Sequence, residues 1–377
     1  MKLSVSNNLN IDPSILKNFK NKDFFFNEFE KNHFFLPFLD KDYYKKYNFK
    51  KLVHKKNRVH VFGMGGSSLS SKLLIQFLNP KELDSKIFIY DNPYDELIEK
   101  NLTNHSITSH DKFIFISKSG KTAETKYFLN YVEKYLIKIK NKNFQNNFLF
   151  ITENTDNYLR NYGVKNNIIC IDHDPDIGGR FSIFSVTGYL PLLLIGYSLP
   201  KLVKGALDAF NDIKKEKSKI GKFLLDFYLS QRNNKSNMLI GFSYNQKLTA
   251  INEWYRQIFA ESLGKHNKSI TYISSLGPID QHSQFQLYID GPKDKSYIFF
   301  DLISKDKTIL KKLFNGAIKT LKEKDNLVSS ISITNNYKSY NKLIILLIFD
   351  VFLRSKVENI NFLDQPAVEI LKKNTKI

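Results

Sequence analysis

The sequence has a single cysteine, Cys170, among 377 residues. It can form no internal disulfide, which excludes a disulfide-stapled secreted scaffold and suits a reducing cytoplasm. Long apolar runs are also lacking. The longest, "LIILLIFDVF" from Leu343, is about half a membrane span and carries Asp350, which fits a buried helix and no membrane partner. The opening residues, "MKLSVSNNLNIDPSIL", lack the apolar stretch and small-residue cleavage site of a secretory leader. Acidic residues are under-supplied, 37 against 57 Lys and Arg, giving a net charge of +20. The bases are scattered along the chain without a basic arm, so the excess argues for a general pull on anions and against a nucleic-acid partner. No Cys/His or His/carboxylate group has metal spacing, and none of the glycine-rich stretches has the Walker lysine pattern of a nucleoside triphosphate site.

What is present is a succession of short apolar, β-branched runs alternating with helical stretches: "RVHVFGM", "KIFIYD", "KFIFISKS", "NNFLFITEN" and "NIICID". Runs this continuously apolar are strands buried on both faces, and helices between them indicate parallel crossovers. The pattern restarts after "NDIKKEKSKIGK" with "SNMLIGFS", "SITYIS", "FQLYIDG", "KSYIFFDL" and "SSISITNN" as strands, separated by helices around Trp254, Leu310 and Ile345. The expected organisation is a mainly helical lead-in over 1–50, α/β domains over 51–203 and 221–356, and a C-terminal segment 357–377 with a helix over about 366–373. Each domain is expected to be a mainly parallel sheet flanked by helices, an α/β/α sandwich.

Two loops carry the chemistry. "VFGMGGSSLSSKLL" turns a strand into a helix. Gly63, Gly65 and Gly66 resemble the start of a dinucleotide fingerprint, with Asp91 ending the next strand, but Ser68 stands where its last glycine belongs. Such a loop also holds simple phosphates, with Gly66 and Ser67 at the helix entry. "FISKSGKTAET", Phe115 to Thr125, follows another strand with Ser117, Lys118, Ser119 and Thr122 around Gly120. Three hydroxyls in six residues beside a second Gly/Ser loop favour a phosphate, although helix caps also favour Ser and Thr.

These loops resemble the phosphate-holding loops of sugar isomerase (SIS) domains. Together with "GGRFSIFSVTG" from Gly178, "FAESLGK" from Phe259, "DQHSQFQLYIDGP" from Asp280 and "DQPAVEILK" from Asp364, they resemble the glucose-6-phosphate isomerase (phosphoglucose isomerase) family, in its order, over Arg58 to Lys372. The sequence departs from the family at Lys121, where a small hydroxyl residue is usual, at Ser70, where glycine is common, and in being short. The resemblance implies two SIS-type domains and interconversion of glucose 6-phosphate and fructose 6-phosphate by ring opening and enediolate proton transfer, without cofactor or metal.

It further implies roles for particular residues. Glu261 is the base that carries the proton between adjacent carbons; taken alone it would be an ordinary glutamate at a helix end. Arg180 is the fixed cation beside the enediolate. His282 and Lys372 serve ring opening, and Gln365 contacts the sugar or its phosphate. The family shares its site between subunits, the histidine coming from the neighbour, so a homodimer is implied. Three rivals remain at this stage. One is a bifunctional phosphoglucose/phosphomannose isomerase using nearly the same residues. Another is a non-catalytic SIS sensor, which has no reason to keep Glu261, Arg180, His282 and Lys372 together. The third is a dinucleotide dehydrogenase, disfavoured by Ser68 and by the hydroxyl loop.

Overall fold

The computed structural model describes residues 1–5, 22–78, 86–104, 106–139, 143–304 and 308–375. Residues 6–21 of the lead-in and 376–377 of the C-terminal segment lie outside the described residues. Among the described residues ten strands form two five-stranded sheets: β1 (Lys2–Val5), β2 (Arg58–Gly63), β3 (Ile87–Tyr90), β4 (Asp111–Ile116), β5 (Phe148–Thr152), β6 (Ile169–Asp172), β7 (Met238–Ser243), β8 (Thr271–Leu276), β9 (Lys295–Ile303) and β10 (Leu327–Thr334). The chain divides into two compact units, Phe34–Lys204 and Met1–His33 with Gly205–Lys376. The grouping of 1–50 as one lead-in therefore spans both units.

In the Phe34–Lys204 unit the sheet order is β3-β2-β4-β5-β6, parallel throughout. The helices Gly66–Leu78, Asp95–Thr103 and Ala123–Lys138 follow β2, β3 and β4, and Tyr158–Lys165 joins β5 to β6. The central runs do what continuous hydrophobicity requires: every residue of β5 is buried, and the rings of Tyr90, Phe62 and Phe115 stack across three strands at 4.4 and 4.8 Å, whereas β6, expected to be buried on both faces, lies at the sheet edge with only Ile171 buried. The chain places β3 on one side of β2 and then β4 on the other. The reversal puts a crevice outside the carboxyl ends of β2 and β4, where open parallel sheets take ligands. At the opposite end the Arg58 guanidinium forks onto buried Asp111 at 2.8 and 2.7 Å, and the Thr108 amide donates to the same carboxylate at 2.7 Å. Burial alone would raise the Asp111 pKa; the His60 ring nitrogen 3.6 Å away and the hydrogen bonds from Arg58 and Thr108 outweigh it and hold the group well below the usual carboxylate range.

In the other unit the order is β1-β10-β9-β7-β8, with β7 to β10 parallel and β1 antiparallel to β10. The apolar run at 343–352 forms the middle of the buried helix Tyr337–Glu358. Phe26 and Phe29, from helix Lys22–Lys31, pack against Phe349 at 5.4 and 5.1 Å. Among the described residues no helix is long and apolar enough to cross a membrane. Two local expectations are corrected. "KLSV" is a strand, since β1 covers the open edge of β10. "FQLYID" is the helix Phe285–Asp290, because Phe285 and Tyr288 are its buried residues while Leu287 is exposed, the i, i+3 pattern of a helix.

Candidate active site

The glycine loop joins β2 to helix Gly66–Leu78. Gly66 is forced by packing: a Cβ there would lie 2.2 Å from the carbonyl oxygen of Gly179 and 2.6 Å from the nitrogen of Arg180. The turn bearing Arg180 thus rests directly on the start of this helix. A seam of hydroxyls locks the contact. Ser70 Oγ donates to the Gly66 carbonyl at 2.6 Å and lies 3.0 Å from Ser182 Oγ, while Ser71 Oγ donates to the Thr187 carbonyl at 2.9 Å. Ser70, one of the departures from the family pattern, is therefore matched by Ser182. The Arg180 side chain is buried, with its guanidinium 5.1 Å from the Phe181 ring.

The hydroxyl loop leaves β4, which pairs with β2 up to Gly63 and Ile116, so the two loops start side by side. Gly120 supplies the turn at φ +62°, and a Cβ there would meet Asn157 Oδ1 at 1.8 Å. Asn157 is itself fixed by accepting from the Arg160 amide at 3.0 Å. Buried Ser117 and partly buried Thr122 bond each other at 2.8 Å. Thr122 occupies the N-cap of the 16-residue helix Ala123–Lys138 without capping it by its side chain. The first-turn amides and the loop hydroxyls together form the donor set an anion requires. Ser119 is exposed and accepts from the Lys121 amide at 3.3 Å. The Lys118 ammonium is turned to the Pro175 carbonyl at 2.6 Å and to Glu153 at 3.5 Å.

In the other unit Glu261 sits in the last turn of helix Thr249–Leu263, on the crossover from β7 to β8. It is half-buried, and Gln257 Nε2, one turn earlier, donates to its Oε1 at 2.9 Å. His282 lies on the short helix Ile279–Ser283 beyond β8 and is exposed. The neighbours that flank it in the motif hold the segment: Asp280 accepts from the Leu276 amide at 2.7 Å, and Gln281 accepts from the Tyr244 hydroxyl at 3.2 Å. Buried His173 contrasts with it. Burial pushes its pKa down to about 4 and its Nδ1 lies 2.9 Å from the Asp174 carbonyl, so it stays neutral near pH 7. Gln365 is partly buried just before helix Pro366–Thr375, which includes Lys372.

The structure thus gathers Gly66, Ser67, Ser117, Lys118, Ser119, Thr122 and Arg180 in one unit and Glu261, His282, Gln365 and Lys372 in the other. Sequence reasoning missed Gln257, Lys265, Asn157 and Ser182 as supporting residues. Gln257 carried a usable signal, the i, i+4 spacing from Glu261 on one helix.

Residues 33–346 match the family profile described as phosphoglucose isomerase. The glucose-6-phosphate isomerase of Methanocaldococcus jannaschii is 31% identical over 347 residues, spanning 84% of this chain and 82% of that protein. The glucose-6-phosphate isomerase of Campylobacter jejuni is 34% identical over 245 residues, 64% of this chain and 59% of the relative's length, less than two thirds of it. Among solved structures, a hypothetical protein of Thermus thermophilus superposes with a TM-score of 0.80 at 21% identity, covering 100% of this chain and 99% of the other. A glucose-6-phosphate isomerase of Chlamydia trachomatis gives 0.68 at 16% identity, covering 98% and 75%. At these identities the two superpositions establish the fold.

Proposed function

Because the chain belongs to the phosphoglucose isomerase family, we propose that it interconverts glucose 6-phosphate and fructose 6-phosphate by an acid–base route carried on its own side chains. The observation that carries the reading is Glu261, a half-buried carboxylate at a helix end, held by an amide donor from Gln257 at 2.9 Å. A carboxylate in fixed orientation can take the C2 proton of the open aldose and return it to C1 through a single oxygen. The phosphate goes to the hydroxyl loop, where Ser117, Ser119 and Thr122 stand at the entry of helix Ala123–Lys138, with Gly66 and Ser67 on the adjoining loop and the Lys118 main chain completing the turn. Arg180, permanently charged, balances the enediolate without competing for its proton. His282 and Lys372 exchange the O5 and O1 protons during ring opening, and Gln365 contacts the sugar phosphate.

The working form is a homodimer in which His282 serves the neighbour's pocket; the exposure of His282 supports this. The setting is the cytoplasm, where the half-buried thiol of Cys170 stays reduced. The test separates the two chemical tasks. Glu261→Gln keeps size and hydrogen bonding but removes the base, and isomerisation should fall by about a hundredfold to ten-thousandfold. Anomer exchange of fructose 6-phosphate, followed by NMR exchange spectroscopy in the same sample, should persist. A Glu261→Gln variant that keeps most of its isomerase activity would overturn the assignment.

A further inference from the structure

We propose that Lys265 is a positioning residue: its ammonium sets the turn carrying Gln365, and the helix bearing Lys372, relative to the helix end that carries Glu261. The inference deepens the isomerase reading above and rests on it.

Lys265 lies four residues beyond Glu261, just past the helix terminus, where the Gly264 amide donates to the Ala260 carbonyl at 2.9 Å. Its side chain is 8% exposed, low for a lysine. Nζ donates to the Asn361 carbonyl and to the Asp364 carbonyl at 2.7 Å, and forms an ion pair with Asp364 Oδ1 at 2.6 Å. Three oxygens thus surround the ammonium, two as hydrogen-bond acceptors and one as its counter-charge. Two of the three belong to the main chain, and the contact therefore fixes backbone, with Asp364 immediately before Gln365.

The same loop grips the connecting strap, residues 359–365, at its other end. Lys268 Nζ donates to the Glu358 carbonyl at 2.7 Å, where helix Tyr337–Glu358 stops at Asn359 with φ +52°. Between the two grips Ile360 and Phe362 are buried, and the Phe362 ring meets Phe352 edge-on at 5.5 Å. The following helix has little core of its own: Ile370 and Leu371 are 63% and 66% exposed. The chain enters it from the strap, and the strap is clasped by the loop that ends the Glu261 helix. In "FAESLGK" the base and the clasp sit four residues apart, Glu261 in the last helical turn and Lys265 just beyond the Gly264 cap.

The experiment compares Lys265→Met, which keeps the apolar stem but no donor, with Lys265→Arg. Two substrates are used: fructose 6-phosphate, and a ketose 6-phosphate lacking the 5-hydroxyl, which cannot close to a furanose and needs no ring opening. A misplacement of about 1 Å can cost about a hundredfold, and Lys265→Met should lose that much in anomer exchange and in kcat on fructose 6-phosphate. On the open-chain ketose it should keep most of its kcat while KM rises through Gln365, and Lys265→Arg should recover part of the loss. Equal kcat losses on both substrates, or no loss on either, would overturn the proposal. Limited proteolysis judges the clasp without reference to activity: the Met variant should be cut faster within 359–365, and unchanged cutting would refute it. A wild-type protein inactive on both substrates would instead count against the isomerase reading.

Discussion

Gly66→Ala adds one methyl where the structure leaves no room for it. The new Cβ would stand 2.2 Å from the Gly179 carbonyl oxygen, 2.4 Å from its carbon and 2.6 Å from the Arg180 nitrogen. Ordinary contact lies near about 3.5 Å, so the two segments must part by about 1 Å. All three obstructing atoms are main chain, and no side chain can swing aside to absorb the clash. Overpacking of this kind costs about 1–3 kcal/mol of stability. The backbone that moves is the one carrying Arg180, and if Arg180 balances the enediolate as proposed, a shift of about 1 Å can cost about a hundredfold in kcat. The assay pairs thermal unfolding with a coupled measurement of fructose 6-phosphate conversion. Gly179→Ala is the control, because a Cβ there meets nothing within 4 Å; its stability should stay within about 0.5 kcal/mol of the parent. A Gly66→Ala protein with parental stability and kcat would refute the steric argument.

Replacing Ser119 and Thr122 together by Ala removes two hydroxyls from a charged acceptor, each worth about 1.5–3 kcal/mol, so KM for the sugar phosphate should rise about a hundredfold or more with the fold intact; an unchanged KM removes this loop from the site. Mixing inactive His282→Ala chains with inactive Glu261→Gln chains should restore activity, since one pocket of a mixed dimer receives both intact groups; well-mixed heterodimers without activity would place both residues in one subunit's pocket. Acid stability rests in part on Asp111. The folded pKa of Asp111 is depressed, so its contribution is complete above the unfolded value of about 3.9 and is lost as pH falls toward the folded one. The denaturation midpoint should fall between about pH 5 and about pH 2, and Asp111→Asn should flatten that slope. At neutral pH the same substitution should cost about 3 kcal/mol, the low end for breaking a buried pair because Arg58 is partly exposed.

The sequence by itself determined the elements whose burial is complete. "KFIFIS" and "NNFLFIT", short and rich in Ile and Phe, read as two-sided strands and supply β4 and β5; the motif loops then had to fall at strand ends, where Ser117, Thr122 and Gly66 could be picked out as candidates from residue type. Short-range pattern was ambiguous where one face alone is buried. "FQLYID" alternates like a strand, but Phe285 and Tyr288 turn inward together and make it a helix. "KLSV", inside a lead-in expected to be mainly helical, is a strand because β10 offers it an open edge. The phenylalanines of the lead-in could not announce their partners. Phe26 and Phe29 pack on Phe349, whereas Phe35 and Phe38 pack on Phe181 and Phe184 in the other unit. The contacts that hold the candidate site residues came only with the tertiary structure. Gly66 against Gly179, Ser70 against Ser182 and Lys265 against Asp364 join positions about a hundred residues apart, and the geometry of such contacts belongs to the packed backbone, which no local spacing encodes.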